Sequence, residues 1–230
     1  MIDFTEFEKK IGVTFKSKAL LRQAFTHRSY INENRQSDLS HNERLEFLGD
    51  AVLELIITDH LYVKYPLSPE GELTSYRSAL VNAVTMSEVA SNLGVNNFLL
   101  LSRGEAKDTG KARQYILANT IEAIIGAIYI DQGYEVAKDF VTKYVFVLID
   151  KIVAEKSWVD AKSLFQEKAQ ENDSQTPNYK TMREDGPDHD KRFTVGVYIG
   201  TELVAEGAGQ SKQEAEQEAA RKALVKRGWL

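Results

Sequence analysis

The feature that most constrains this chain is a change of hydrophobic period near residue 159. From residue 1 to about 154, apolar side chains recur at helical spacing. Beyond Val159, one amphipathic helix, "DAKSLFQEKAQEN", gives way to alternating, strand-like stretches. "KRFTVGVYIG" places Phe193, Val195, Val197 and Ile199 on one face. "NYKTMREDG" and "TELVAEGAG" read as its neighbours, and "SKQEAEQEAARKALVKRG" as a closing helix. An α-β-β-β-α order suits two helices packed on one antiparallel sheet. The expected class is therefore α plus α+β: an all-helical domain over 1–154, a linker over 155–159, and a small α-β-β-β-α domain over 160–230. The linker is short and carries no Gly or Pro, so the halves are not on a long flexible tether.

Within the helical part, "TEFEKKIGV" reads as a short helix closed by Gly12, and "SKALLRQAFTH" as a second with Ser17 as N-cap. A polar loop follows, then a long helix from Asn42 to Tyr65 that stops before Pro66. "SPEGELTSYRSALVNAVTMSEVASNLGV" reads as one continuous helix ended by Gly94. "YILANTIEAIIGAIYIDQG" is a helix ended by Gly133, and "YEVAKDFVTKYVFVLIDKIVAE" a last one.

Composition removes whole classes of chemistry. The 230-residue chain has no cysteine, which excludes disulfide scaffolds, thiolate metal sites and cysteine nucleophiles. "MIDFTEFEKK" has acids where a signal peptide has basic residues, and no apolar run reaches membrane-span length, so a cytoplasmic protein is expected. The net charge is −5, and residues 161–230 hold 11 Lys/Arg against 12 Asp/Glu. A polyanionic partner thus needs locally arranged cations or bound metal ions.

The long helix, "NERLEFLGDAVLELI", carries Glu43, Glu46, Asp50 and Glu54 within an arc of about 80° at 100° per residue. A solvated face would be wider and of mixed sign, whereas apolar Phe47 edges this arc on one side and Leu53 and Ile57 on the other. In "YILANTIEAIIGAIYI", Asn119 and Glu122 are the only strongly polar side chains, and Gly126 continues their line. A carboxylate in so apolar a helix is costly unless paired or bound to a cation. One reading is a buried Glu hydrogen-bonded to a neighbouring helix. The sharper one has Asn119 and Glu122 facing Glu46 and Asp50 across a helix pair, an oxygen-only set suited to magnesium or manganese. Such a site activates water and holds phosphate oxygens, as phosphodiester hydrolysis requires.

These residues also carry a resemblance. "NERLEFLGDAVLEL" is similar, almost letter for letter, to the signature motif of the ribonuclease III family. "FTHRSY" at 25–30 looks like the short motif before it, and "YRSALVNAVTMSEVASNLGV" and "ILANTIEAIIGAIYID" resemble the later blocks. The C-terminal unit, with "GQSKQEAEQEAARKAL", resembles a double-stranded-RNA-binding domain. The resemblance implies a homodimeric, Mg2+-dependent endonuclease of double-stranded RNA, with Mn2+ as a substitute, acting in RNA processing and maturation. Products would carry 5′ phosphates and 3′ hydroxyls with short 3′ overhangs. It maps metal ligands to Glu46, Asp50, Asn119 and Glu122, the three acids being catalytic. Glu43 and Glu70 match supporting acids, and Phe47 a dimer-interface residue. In the binding domain it points to Gln166 and Glu167 for one minor groove, His189 for the other, and Ser211 and Lys212 for phosphates.

Two positions depart from the family pattern. At position 119 the pattern has Asp and this chain has Asn, which removes a negative charge from the metal site. "SKQEAE" supplies one cation, Lys212, where a basic cluster opens the last helix in the family. The first departure sustains an alternative, a catalytically weakened protein that binds double-stranded RNA without cutting it.

Overall fold

A computed structural model describes residues 2–35, 39–107, 109–187 and 191–229. The chain divides by packing into two compact units, residues 1–158 and 159–230. Trp158 closes the first unit by packing edge-on against Tyr76, with ring centroids 4.9 Å apart.

The first unit is helical, as its periodicity implies: α1 (Thr5–Ile11), α2 (Lys18–Ala24), α3 (Arg28–Glu33), α4 (Glu43–Lys64), α5 (Glu70–Val81), α6 (Ala83–Asn92), α7 (Lys111–Gln132), α8 (Tyr134–Tyr144) and α9 (Ile149–Ala154). Its core joins Phe7 and Phe25 of the N-terminal segment with Leu53, Ile56 and Ile57 of α4 and Ile121, Ile124 and Ile128 of α7, all fully buried. Gly12 ends α1 with φ 74°, a left-handed conformation that favours glycine.

Three local expectations are corrected. Ser17 does not cap α2 through its side chain. The Lys16 and Ser17 amides donate to the Asp131 carboxylate at 2.7 and 2.8 Å, so the end of α7 anchors the segment that leads into α2. The helix expected from Ser68 to Gly94 is broken at Asn82, whose backbone is extended (ψ 159°). Asn82 Oδ1 accepts from the Thr85 amide at 3.0 Å and its Nδ2 donates to the Ala79 carbonyl, ending α5 and starting α6 with one side chain. The last helix also divides: a 3-10 turn, Phe146–Leu148, separates α8 from α9. The Phe146 ring of this turn stacks on His60, with centroids 4.6 Å apart.

The second unit has the expected order: α10 (Ala161–Asp173), β1 (Asn178–Asp185), β2 (Arg192–Ile199), β3 (Glu202–Gly209) and α11 (Lys212–Arg227). The strands form an antiparallel sheet in the order β1-β2-β3, with Tyr179 opposite Val197 and Val197 opposite Ala205. Val197, Ile199 and Val204 pack with Phe165 of α10 and Ala219, Ala223 and Leu224 of α11. Asp160 caps α10, accepting from the Lys162 and Ser163 amides at 3.1 and 3.2 Å.

Candidate active site

α4 and α7 approach more closely than side chains normally allow, because a glycine on each faces the other's backbone. A Cβ at Gly49 would lie 1.8 Å from the Glu122 carbonyl oxygen, and one at Gly126 would lie 2.2 Å from that of Leu45. Glu46 and Asp50 flank Gly49 in sequence, while Asn119 and Glu122 precede Gly126. The glycine contacts therefore bring these four side chains together.

Their charges act on one another. Glu122 has its carboxyl pushed up to about 8, first by burial in the helix interface and then by the charges of Asp50 and Glu46. Glu46 is also raised, by burial and then by Glu43, against a hydrogen bond donated by the Asn119 amide. The carboxylates of Glu46, Asp50 and Glu122 thus act on one another as like charges. Among the described residues, no three His, Asp or Glu side chains converge at ligating distance. The donor set nonetheless suits a hard divalent cation: carboxylate and amide oxygens, excess negative charge, and half-burial that a bound cation would offset.

A cavity of about 290 Å³ opens beside these groups, lined by Glu43, Glu46, Asn119, His27 and Tyr115, among others. Glu43 is partly neutralised by Arg28, whose Nη1 lies 3.3 Å away. Glu70 is not in this cluster. It begins α5 and lines a separate cavity with Leu61, Tyr62 and Leu73. Glu54 is exposed, and Phe47 projects from α4 with 82% of its surface accessible. Sequence reasoning missed His27 as a lining residue. The available signal was its place just before the helix that begins at Arg28, inside "FTHRSY".

In the second unit, Gln166 and Glu167 lie on the exposed face of α10 beside Ser163 and Gln170. Ser211 caps α11, its Oγ accepting from the Glu214 amide at 3.2 Å. The Glu214 carboxylate accepts from the Gln210 amide at 3.0 Å, placing a negative charge at this helix start. Lys212 pairs with Glu184 at 3.0 Å. His189 lies outside the described residues.

A family model described as Ribonuclease-III-like matches residues 17–149. The chain belongs to the ribonuclease III family. A second model, described as double-stranded RNA binding motif, matches residues 161–226. The chain is 48% identical to Ribonuclease 3 of Protochlamydia amoebophila, across 94% of this chain and 89% of that protein. It is 43% identical to Ribonuclease 3 of Enterococcus faecalis, across 96% and 95%. The structure is similar to that of the nuclease domain of ribonuclease III from Campylobacter jejuni, at 38% identity and a TM-score of 0.57, covering 65% of this chain and 97% of that one. A ribonuclease III nuclease domain joined to an RNA-binding motif makes the chain an endoribonuclease of double-stranded RNA. Among the described residues, no helix is long and apolar enough to cross a membrane.

Proposed function

We propose that this ribonuclease III-family chain cuts double-stranded RNA in a divalent-metal-dependent reaction centred on Glu46, Asp50, Asn119 and Glu122, leaving 5′ phosphates and short 3′ overhangs. The observation that carries the metal dependence is the acid cluster itself. Glu122 stays protonated up to about pH 8 because burial and two neighbouring carboxylates disfavour its charge. A cation that reverses this would bind with three carboxylates and the Asn119 carbonyl oxygen. Mg2+, with Mn2+ in its place, would supply a charge that holds phosphate oxygens and acidifies a water for attack. The chain's own groups orient that chemistry: Asn119 holds Glu46 in place through its amide, and Arg28 steadies Glu43 at the cavity rim. Glu70 stands as a supporting acid near the RNA path. Ribosomal and messenger precursors in the cytoplasm are the fitting substrates.

The partner is a second copy of this chain. A phenylalanine 82% exposed on the helix that carries the acids supports that reading, as does the Campylobacter jejuni structure, whose subject includes a region involved in dimer formation. On the RNA-binding unit, Gln166, Glu167, Ser211, Lys212 and His189 are the groups for groove and phosphate contacts. With Lys212 paired to Glu184 and Glu214 at the helix start, affinity should be modest and strongly salt-dependent.

The direct test is a long RNA duplex incubated with Mg2+, Mn2+ or a chelator. Cleavage is expected with either metal and none with chelator. Retention of the duplex without cleavage in either metal would instead establish the second reading, an RNA-binding protein, which Asn119 favours by removing one ligand charge.

Asn119→Asp is expected to raise the cleavage rate at low Mg2+ by about tenfold, equivalent to ~1.4 kcal/mol. The added carboxylate strengthens cation binding, and the lost amide leaves Glu46 more dependent on it. Equal rates at every Mg2+ concentration would remove position 119 from the site.

A further inference from the structure

His27 is held in a way the metal cluster does not explain. Its backbone amide donates to the Leu100 carbonyl at 3.1 Å, and Asn42 ties the start of α4 to the same segment by donating from its backbone to the Thr26 carbonyl at 2.9 Å. On the imidazole, Nδ1 accepts from the Ser29 amide at 3.3 Å, capping α3, and lies 2.8 Å from Ser29 Oγ. Ser29 Oγ in turn accepts from the Ser102 amide at 3.1 Å, so its proton is free to point at Nδ1. With Nδ1 fixed as acceptor, the ring proton sits on Nε2. Nε2 has no protein partner among the described residues, while the ring lines the cavity shared with Glu43, Glu46 and Asn119.

A neutral donor beside carboxylates selects among the parts of an RNA strand. A phosphate oxygen only accepts and carries charge, so Glu43 and Glu46 disfavour it in this cavity, Arg28 offsetting only part of the Glu43 charge. A ribose 2′-hydroxyl is neutral and both donates and accepts. We propose that His27 donates from Nε2 to a ribose 2′-hydroxyl next to the scissile phosphate, with the Glu43 carboxylate accepting from that same hydroxyl. His27 would then help the nuclease unit to distinguish ribose from deoxyribose at the cut. The inference rests on the acid cluster being the cleavage site.

The test uses the full chain, Mg2+, and an RNA duplex with one cleavage site. A single 2′-deoxy or 2′-methoxy nucleotide is walked through the cut strand. The unsubstituted chain is expected to slow about 5–10-fold at one position, the worth of one hydrogen bond. His27→Asn keeps a good N-cap oxygen for α3 but cannot reach as Nε2 does. It should cut the all-ribose duplex about as slowly as the unsubstituted chain cuts the modified one, and should ignore the modification. His27→Gln, whose amide nitrogen falls near the Nε2 position, should recover the sensitivity. If His27→Asn still cuts and responds to the modification as strongly as the unsubstituted chain at every position, the proposal is overturned and the endonuclease reading stands. If the unsubstituted chain leaves the all-ribose duplex intact, both fall.

Discussion

Glu122→Gln is expected to abolish cleavage and, without metal, to make the protein more stable. The activity loss follows from removing a carboxylate at the centre of the cluster. A fall of about three orders of magnitude corresponds to ~4 kcal/mol of lost transition-state stabilisation. The stability gain has the opposite origin. Glu122 is raised to about 8 from an ordinary 4.5, by burial first and then by Asp50 and Glu46. Between those values the folded chain holds a proton that the unfolded chain has released. Stability therefore falls as pH rises through that window, and the loss is complete above about pH 8. Glutamine is neutral at every pH and escapes it. Glu122 is half-buried rather than fully enclosed, so the penalty is discounted for solvent screening to on the order of 1–2 kcal/mol. At about 2–4 °C per kcal/mol, thermal melting without metal should place Glu122→Gln a few degrees above the unsubstituted chain at pH 9 and level with it at pH 4.5. Added Mg2+ should reverse the order, since ligand binding stabilises only the chain that binds it. Identical melting at pH 9 in chelator would show that Glu122 is not held among charged neighbours.

How much of this was legible in the sequence depended on whether a residue's role was local. The acid positions on α4 and the polar pair on α7 were readable because helical period alone fixes which side chains share a face. Gly126 was readable as a close-approach residue because it continues that polar line. Gly49 was not singled out, although it sits between Glu46 and Asp50. Three strands and two helices of the second unit followed from the change of period. What could not be read was long-range. Glu8 is only 4% exposed because it accepts from the Phe15 amide and pairs with Lys18 at 2.6 Å, and no short window reveals that. Asn82 breaks a helix inside the apolar run "LVNAV" with no Gly or Pro to mark the place, and the only local signal is the capping preference of asparagine. His27 required knowing that Leu100 and Ser102 pin its segment from more than 70 positions away.

Gly49→Ala should be the most damaging small substitution in the first unit. Its methyl would fall 1.8 Å from the Glu122 carbonyl oxygen and 2.8 Å from the Gly126 amide nitrogen, atoms of a packed helix backbone that no rotamer change can move. The helices must separate, and the cost is expected at about 3 kcal/mol or more, at the upper end of core overpacking. Gly71→Ala is the control, since a Cβ there meets nothing within 4 Å and alanine is the better helix former. Thermal melting should thus drop by roughly 6–12 °C for Gly49→Ala at about 2–4 °C per kcal/mol and stay level for Gly71→Ala. Gly126→Ala makes the reciprocal contact, 2.2 Å from the Leu45 carbonyl oxygen. The double substitution should cost less than the sum, because the first methyl already parts the helices. Gly49→Ala melting within a degree of the unsubstituted chain would mean the helices are not this close. The same separation has a chemical consequence. Gly49 lies between Glu46 and Asp50, so any outward movement of α4 carries both carboxylates away from Glu122. Gly49→Ala protein that remains folded should show Glu122 titrating closer to an ordinary carboxylate and should need more Mg2+ to cut. The two glycines therefore set the spacing of the acids, which makes the site's charge density a property of backbone contact rather than of the acids alone.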